Sequence, residues 1–321
     1  MRALVARRLD GPEAIELIET AAPEPAAGQI RIKVAAAAIN PVDLAVTTGA
    51  LVEFGLTAAR QQFGLGWDVA GTVDAVGPTQ NGGRGETTRG GRLHIGDAAV
   101  GVADLLGRDL KTHAEYVVLD ADTVVPAPHR LSLVESATFG LNGLTALQAI
   151  KALEPEPGQT LLVTGAAGGV GGYAVEIAKY LGLTVIAAAS AHDEELVRLM
   201  GAEHFVDRSQ DLATAVRRIA PAGVDALVDA AVVGVGAQEA VRNGGRHVHV
   251  QGGPCPPHLR GISVEQILVQ ANRSDLEELV RLVDAGALST RVADVHPLTE
   301  AAAAYKRVAA GGVRGRLVLV P

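Results

Sequence analysis

The sequence predicts an α/β protein in two parts, a β-rich segment and a doubly wound parallel sheet. Three observations predict it. The chain has 321 residues, enough for about two domains. Its texture changes after Val125-Pro126-Ala127-Pro128, from short strand-like runs to alternating strand-like and helix-like segments. Apolar residues make up 48% and aromatics only 3%, so a large core of Ala, Val, Leu and Ile can form.

In the first part Met1–Arg8 and Gln29–Ala38 alternate or run apolar, the second with Ile30, Ile32 and Val34 on one face. Trp67–Val76, Asp97–Val102 and His113–Leu119 follow, separated by Gly, Pro and Asp. Strands of this kind with no helices between them predict a small barrel or sandwich. Residues 78–92 read PTQNGGRGETTRGGR. Five glycines in fifteen predict a hairpin tip, with a lid or a phosphate contact as the alternative.

In the second part Leu161–Thr164, Val185–Ala189, His204–Asp207, Ala226–Asp229 and His247–Gln251 read as buried strands. Val170–Leu181, Glu194–Met200 and Leu212–Ile219 are the helices between them. Apolar strands with intervening amphipathic helices mark a parallel sheet covered on both faces. Gly201 suits a helix C-cap before the next strand. Asp275–Ala285 reads as an amphipathic helix, and Arg316–Val320 as a final strand able to return to the first domain.

Several function classes are disfavoured. A net charge of −8 offers no basic surface for nucleic acid or an anionic membrane. The single cysteine, Cys255, excludes an intramolecular disulfide and a Cys-rich zinc lobe. The opening MRALVARRLDG lacks the apolar core of a signal peptide. The longest stretch without Asp, Glu, Lys or Arg, Pro157–Val175, carries six glycines and is a poor membrane span. The expectation is a soluble cytoplasmic protein.

The most informative stretch is Leu161-Leu-Val-Thr-Gly-Ala-Ala-Gly-Gly-Val-Gly171. A strand runs into glycines three apart and a helix then begins. Side chains there would keep a pyrophosphate from the backbone and the helix from the strand, while the helix N-terminus favours phosphate. Gly165, Ala167, Gly168, Gly169, Val170 and Gly171 are the candidate dinucleotide-binding residues; a purely structural glycine turn is the alternative. NAD-selective sites place Asp or Glu at the end of the next strand. Here that strand ends Ala188-Ala189-Ser190-Ala191-His192. Ser190 repels no 2′-phosphate and His192 stands beside it, which favours NADP(H), although Ser190 is also placed to cap the following helix. The loop also fits the glycine pattern of short-chain dehydrogenases. No tyrosine here has a lysine four residues on, so their acid is missing.

MRALVARRLDGPEAIEL, AAAAINPVDLAVTTG, GWDVAGTVDAVG, HAEYVVLDADTVVPAP, GLTALQAI, TLLVTGAAGGVGGYAVEIAKYLG and GVRGRLVLVP, in this order, resemble the medium-chain dehydrogenase/reductases. They are most similar to the zinc-free quinone oxidoreductase branch. The resemblance implies a GroES-like catalytic domain, over 1–122 and 270–321, around a Rossmann domain at 123–269. It also implies a cleft between them, commonly a homodimer, and hydride transfer from NADP(H) to a small electrophilic acceptor, a quinone or α,β-unsaturated carbonyl. Zinc-dependent relatives carry Cys where Asn40 stands and Gly-His-Glu where Gly66-Trp67-Asp68 stands. Asn and Trp cannot complete a catalytic zinc, so no metal is expected.

Further site residues follow from the resemblance. Asn40 would hold the nicotinamide ribose or the substrate oxygen, or else pin the turn before Pro41. Thr145 would bond near the nicotinamide, or cap a helix. Gly252 and Gly253 would let the nicotinamide approach the backbone, and Ala230 and Val232 would flank the adenine side. Arg316 would lie near the cofactor phosphates, or be a solvated charge. Asp43 and Asp68 are expected to bond backbone or Arg groups. His113, His129, His247 and His249 are expected in the core or on the surface. Tyrosines found in some quinone reductases are replaced by Ala45 and Leu51, and no proton donor is identified. Orientation plus hydride delivery is the expected mechanism, worth about 7–11 kcal/mol. The alternatives are a dedicated enoyl reductase and a cofactor-binding protein without turnover.

Overall fold

Each half of the chain builds its own sheet system, in a computed structural model that describes residues 1–78, 93–250 and 253–321. The glycine-rich run expected as a hairpin tip lies, from Thr79 to Arg92, outside the described residues, as does Gly252. The backbone divides into two units. Met1–Leu141, Gln270–Asp284 and Thr290–Pro321 form the first; Asn142–Val269 and Ala285–Ser289 form the second.

The first unit contains β1 (Arg2–Ala6), β2 (Ile15–Glu19), β3 (Gln29–Ala38), α1 (Pro41–Thr47) and α2 (Ala50–Glu53). Next come β4 (Phe63–Gly64), β5 (Asp68–Val76), β6 (Ala98–Val102), β7 (Tyr116–Asp120), β8 (Val124–Pro126) and α3 (Leu133–Ser136). Helix α4 (Gly140–Ala152) runs from its end into the second unit. That unit holds β9 (Thr160–Thr164), α5 (Gly169–Tyr180), β10 (Thr184–Ala189), α6 (Glu194–Met200), β11 (His204–Asp207) and α7 (Leu212–Ile219). It continues through β12 (Val224–Asp229), α8 (Val235–Gln238), β13 (Val241–Val250) and β14 (Ser263–Ile267). The chain then returns to the first unit as α9 (Arg273–Asp284), β15 (Val292–Pro297), α10 (Ala301–Ala309) and β16 (Arg316–Val320).

In the first unit β2-β1-β4 form one small sheet and β15-β16-β3-β5-β6-β8 a larger one, with β7 also pairing with β3. Ile30, Ile32 and Val34 do share a buried face, packed with Val69, Val73 and Val117. Each such side chain contributes about 1.5–3 kcal/mol of burial. The final strand returns as expected: β16 runs antiparallel to β3 and parallel to β15. Helices α1 and α2 correct the expectation of a β-rich segment without helices. Pro41 at the first helical position, with Asn40 and Asp43 as a capping box, starts α1. The capping box lies in a run read only as a motif. Residues 123–141 also belong to the first unit, not the second, because β8 pairs with β6 and α3 packs on β3 and β5.

The second unit is an all-parallel sheet in the order β11-β10-β9-β12-β13-β14. Five strands match the expected set. The sixth, β14, was not anticipated; Ser263-Val-Glu-Gln-Ile267 alternates in burial as an edge strand does, so its apolar run is broken. Among the described residues no helix is long and apolar enough to cross a membrane.

Candidate active site

Strand β9 delivers the chain into a tight glycine turn. Gly165 adopts φ +59°, the left-handed region, and the Gly168 N–H donates back to its carbonyl at 2.8 Å. Helix α5 then begins against that turn. A Cβ at Gly171 would lie 2.2 Å from the Gly165 carbonyl oxygen, so only glycine lets the helix sit this close. Gly168 is exposed, and Gly169 and Val170 are half-buried. A bare backbone surface is thus presented at a helix N-terminus, the arrangement that a pyrophosphate requires.

A buried carboxylate fixes the neighbouring loop. Asp229, at the end of β12, accepts from the Thr164 hydroxyl at 2.5 Å, Val233 N at 3.0 Å and Gly234 N at 2.7 Å. The Thr164 hydroxyl in turn accepts from Ala231 N at 3.0 Å. This ties Ala230–Gly234 to the glycine turn: a Cβ at Gly165 would lie 3.2 Å from the Ala231 methyl. Val232 is held at φ +55°, a costly conformation for a β-branched residue. Gly253 faces it, since a Cβ there would lie 2.6 Å from the Val232 side chain. The structure therefore gathers Gly165, Gly168, Gly171, Ala230, Val232 and Gly253 around one loop cluster. Thr145 lies half-buried within α4, not at its start, so it does not cap that helix.

At the end of β10, Ser190 is buried and makes no side-chain cap bond. His192 is exposed and lines an open hollow of about 660 Å³ with Glu194, Glu195 and Arg198. Parallel pairing places Ala189 opposite Asp207, and Arg208 N donates to the Ala189 carbonyl at 2.8 Å. An exposed arginine is thus set beside the Ser190 corner. Sequence reasoning missed it, because it lies a strand away in the chain; the register of two parallel strands was the available signal.

The first unit contains a second polar assembly. Asn40 lies two residues beyond β3 and caps α1. Its amide nitrogen donates to Asp68 at 2.8 Å, and its amide oxygen accepts from Arg316 at 2.9 Å. Asp43 accepts from the Asn40 and Gly66 N–H groups, each at 2.8 Å, and Asp68 also accepts from Leu141 N at 2.5 Å. Both aspartates bond as expected. Burial pushes the Asp68 carboxyl up to about 6 against the opposing pull of Asn40, Leu141 and Arg316. Asn40 and Arg316 therefore meet, with Asn40 1% exposed.

His113 is a satisfied core histidine. Its Nε2 lies 3.1 Å from the Ala38 carbonyl and its Nδ1 2.8 Å from the Tyr305 hydroxyl. The carbonyl can only accept, so Nε2 carries the proton and Tyr305 donates to Nδ1. Burial lowers the His113 pKa and raises that of Tyr305, which keeps both neutral. Beside them, Lys111 Nζ stands 3.5 Å from the Trp67 ring centroid. Burial drives this amine down to about 7, opposed by Asp43 and Asp104. Sequence reasoning missed Lys111; an isolated lysine in a strand-poor segment gave no pattern to read. His129 is exposed, and His247 and His249 are buried on β13 near Asp229.

Residues 26–129 match the alcohol dehydrogenase GroES-like domain family, and residues 200–319 the zinc-binding dehydrogenase family. The solved quinone oxidoreductase of Coxiella burnetii is 29% identical, with a TM-score of 0.85 over 100% of this chain and 99% of its own. A solved NAD-dependent alcohol dehydrogenase is 31% identical, with a TM-score of 0.84 over 100% of both chains. The chain belongs to the medium-chain dehydrogenase/reductases, in their quinone oxidoreductase branch. A mycobacterial protein solved in complex with NADPH is 26% identical, with a TM-score of 0.84 over 100% of both chains. The two units of this medium-chain dehydrogenase/reductase are accordingly its GroES-like and Rossmann domains, and the glycine turn belongs to a Rossmann-type dinucleotide site. Zinc does not fit the residues it carries. The Trp67 indole N–H can only donate, and the Asp68 carboxylate is already bonded to Asn40 and Leu141.

Proposed function

We propose that this oxidoreductase uses NADP(H) to deliver hydride to a small electrophilic acceptor, a quinone or an α,β-unsaturated carbonyl, without zinc. The observation that carries the reading is the chemistry at Asn40, Trp67 and Asp68, where no metal-ligating set exists to acidify an alcohol. Reduction of a conjugated acceptor needs no such ion, because the incoming negative charge spreads into a phenolate or enolate. The quinone oxidoreductase of Coxiella burnetii is a relative in keeping with this choice.

The bound cofactor supplies the hydride. The chain's own residues do the rest. Gly165, Ala167, Gly168, Gly169, Val170 and Gly171 would hold the pyrophosphate against the α5 N-terminus. Ala230, Val232, Gly252 and Gly253 would line the same loop cluster, and Thr145 would contribute from α4. Asn40 and Arg316 act as a positioning pair, each fixing the other's orientation. At the 2′-position, Ser190 offers no repelling carboxylate, and Arg208 with His192 supplies positive charge. The mycobacterial relative's NADPH supports the same choice.

Titrations of NADPH and NADH into the wild type and Arg208→Ala test this. NADPH is expected to bind more tightly, and the substitution to weaken NADPH by about tenfold while leaving NADH nearly unchanged. Menadione, a small enone and an enoyl thioester are then offered as acceptors. Preferred turnover of the thioester would make the protein a dedicated enoyl reductase. Tighter NADH binding, or no oxidation by any acceptor, refutes the reading.

A further inference from the structure

Just past β12, Val232 holds a conformation that a β-branched residue seldom takes, with φ +55°. Its own N–H and C=O enter no hydrogen bond among the described residues. The residues on either side are tied instead. Ala231 N donates to the Thr164 hydroxyl at 3.0 Å, while Val233 N and Gly234 N donate to the two Asp229 oxygens at 3.0 and 2.7 Å. The Thr164 hydroxyl closes the set by donating to Asp229 at 2.5 Å. The left-handed turn is therefore imposed from its flanks, and every tie leads to one buried carboxylate.

That carboxylate has no strong counter-charge. Its ion-pair neighbour among the described residues is His247, 3.9 Å away, and burial keeps that imidazole neutral at pH 7. The loop N–H groups and the Thr164 hydroxyl are thus what hold the anion, and the anion in turn holds the loop. A glycine at 232 would take the same turn without strain. With valine there, the shape of the loop depends on Asp229. That shape is registered to the glycine turn: a Cβ at Gly165 would lie 3.2 Å from the Ala231 methyl and 3.4 Å from the Ala230 carbonyl carbon. A dinucleotide resting on the turn meets the loop as part of the same surface. Backbone strain that surrounding bonds sustain is characteristic of ligand-binding segments.

We propose that Asp229 is a positioning residue for the dinucleotide: by fixing the N–H groups after Val232 it holds that residue left-handed and keeps the 230–234 loop in its binding shape. This rests on the Rossmann-type site described above, and not on which dinucleotide or acceptor is used. Asparagine at this position keeps the size of the side chain but turns an NH2 group toward N–H donors, so one of the two ties is lost. Val232 then relaxes to negative φ and carries Val233 and Gly234 with it.

A double-mutant cycle tests this. NADPH and NADH are titrated into wild type, Asp229→Asn, Val232→Gly and the double variant, and the cycle is scored with whichever dinucleotide wild type binds more tightly. Asp229→Asn should weaken binding about tenfold with valine at 232, and by less than about threefold in the Val232→Gly background. Loss of a buried charge, or general loosening of the fold, would cost the same in both backgrounds. Equal costs, or no loss in Asp229→Asn, overturn the proposal. Urea unfolding checks that each variant is folded. Should Asp229→Asn fail to fold, Thr164→Val takes its place; it removes the hydroxyl tie to Ala231 with little change of shape, and the same contrast between backgrounds is expected, with equal costs again overturning the proposal. Wild type that binds neither dinucleotide would sink the cofactor site itself, whereas wild-type binding with an additive cycle would sink the role of Asp229 alone.

Discussion

Replacing Lys111 by methionine should make the protein more stable, which is unusual for a core substitution. The native amine is held near 7, against 10.5 for the free side chain. At about 1.4 kcal/mol per pKa unit, that difference corresponds to roughly 5 kcal/mol of disfavoured charge. The Trp67 ring face returns up to about 2 kcal/mol of it. Methionine has a similar length, carries no charge and can fill the same space, so a net gain of about 2–4 kcal/mol is expected near pH 7.

The sign of the pH dependence follows from the depressed native pKa. Between 10.5 and about 7 the unfolded chain binds the Lys111 proton more readily than the native protein does. Wild-type stability therefore falls as pH decreases through that window, and the deficit is complete below about 7. Lys111→Met lacks this slope. Urea unfolding of both proteins across the window measures the difference. Equal or lower stability of the variant near neutrality, or parallel pH profiles, would refute the reasoning.

Two further outcomes follow from the second unit. Gly171→Ala would drive a methyl to 2.2 Å from the Gly165 carbonyl, so about 1–3 kcal/mol of stability and most NADPH affinity should be lost by calorimetry. Gly236→Ala, where a Cβ meets nothing nearer than 3.6 Å, is the unaffected control. His247 is buried 3.9 Å from Asp229, and burial holds its imidazole down to about 4. The unfolded chain takes up that proton near 6.5, so stability present above this pH is lost as pH falls toward 4, by about 3 kcal/mol. His247→Leu should flatten this part of the acid unfolding profile; an unchanged profile would remove His247 as its source.

The Rossmann half was legible because its signals are local. Leu161–Thr164 and Val185–Ala189 are continuous apolar runs, and Gly165, Gly168 and Gly171 stand next to the helix they permit. The strand β14 escaped because edge strands alternate and Ser263-Val-Glu-Gln-Ile267 has only two well-buried positions. In the first half, the helix after Asn40 was hidden inside a stretch read for its chemistry, although Pro41 and Asp43 are ordinary start signals. The polar assembly was less legible still. Asn40 meets Arg316 across 276 positions, and His113 meets Tyr305 across 192. Such pairings depend on β16 arriving beside β3 and α10 beside α1, and no spacing rule reports them. Lys111 and Arg208 were missed for the same reason, since their meaning lies in what surrounds them.

Strand β16 lies between β15 and β3, yet it is separated from β3 in the chain by the entire nucleotide-binding half. A ribosome making this protein would finish the Rossmann sheet, apart from the short 285–289 piece, well before the partner that β3 awaits has been synthesised. Until then the long β3 strand carries an unsatisfied edge at Ala37 and Ala38, where β16 later pairs. The slow step of self-assembly therefore falls to the split domain, whose closing strand must pair Val318 with Ala38 across the whole of the second unit.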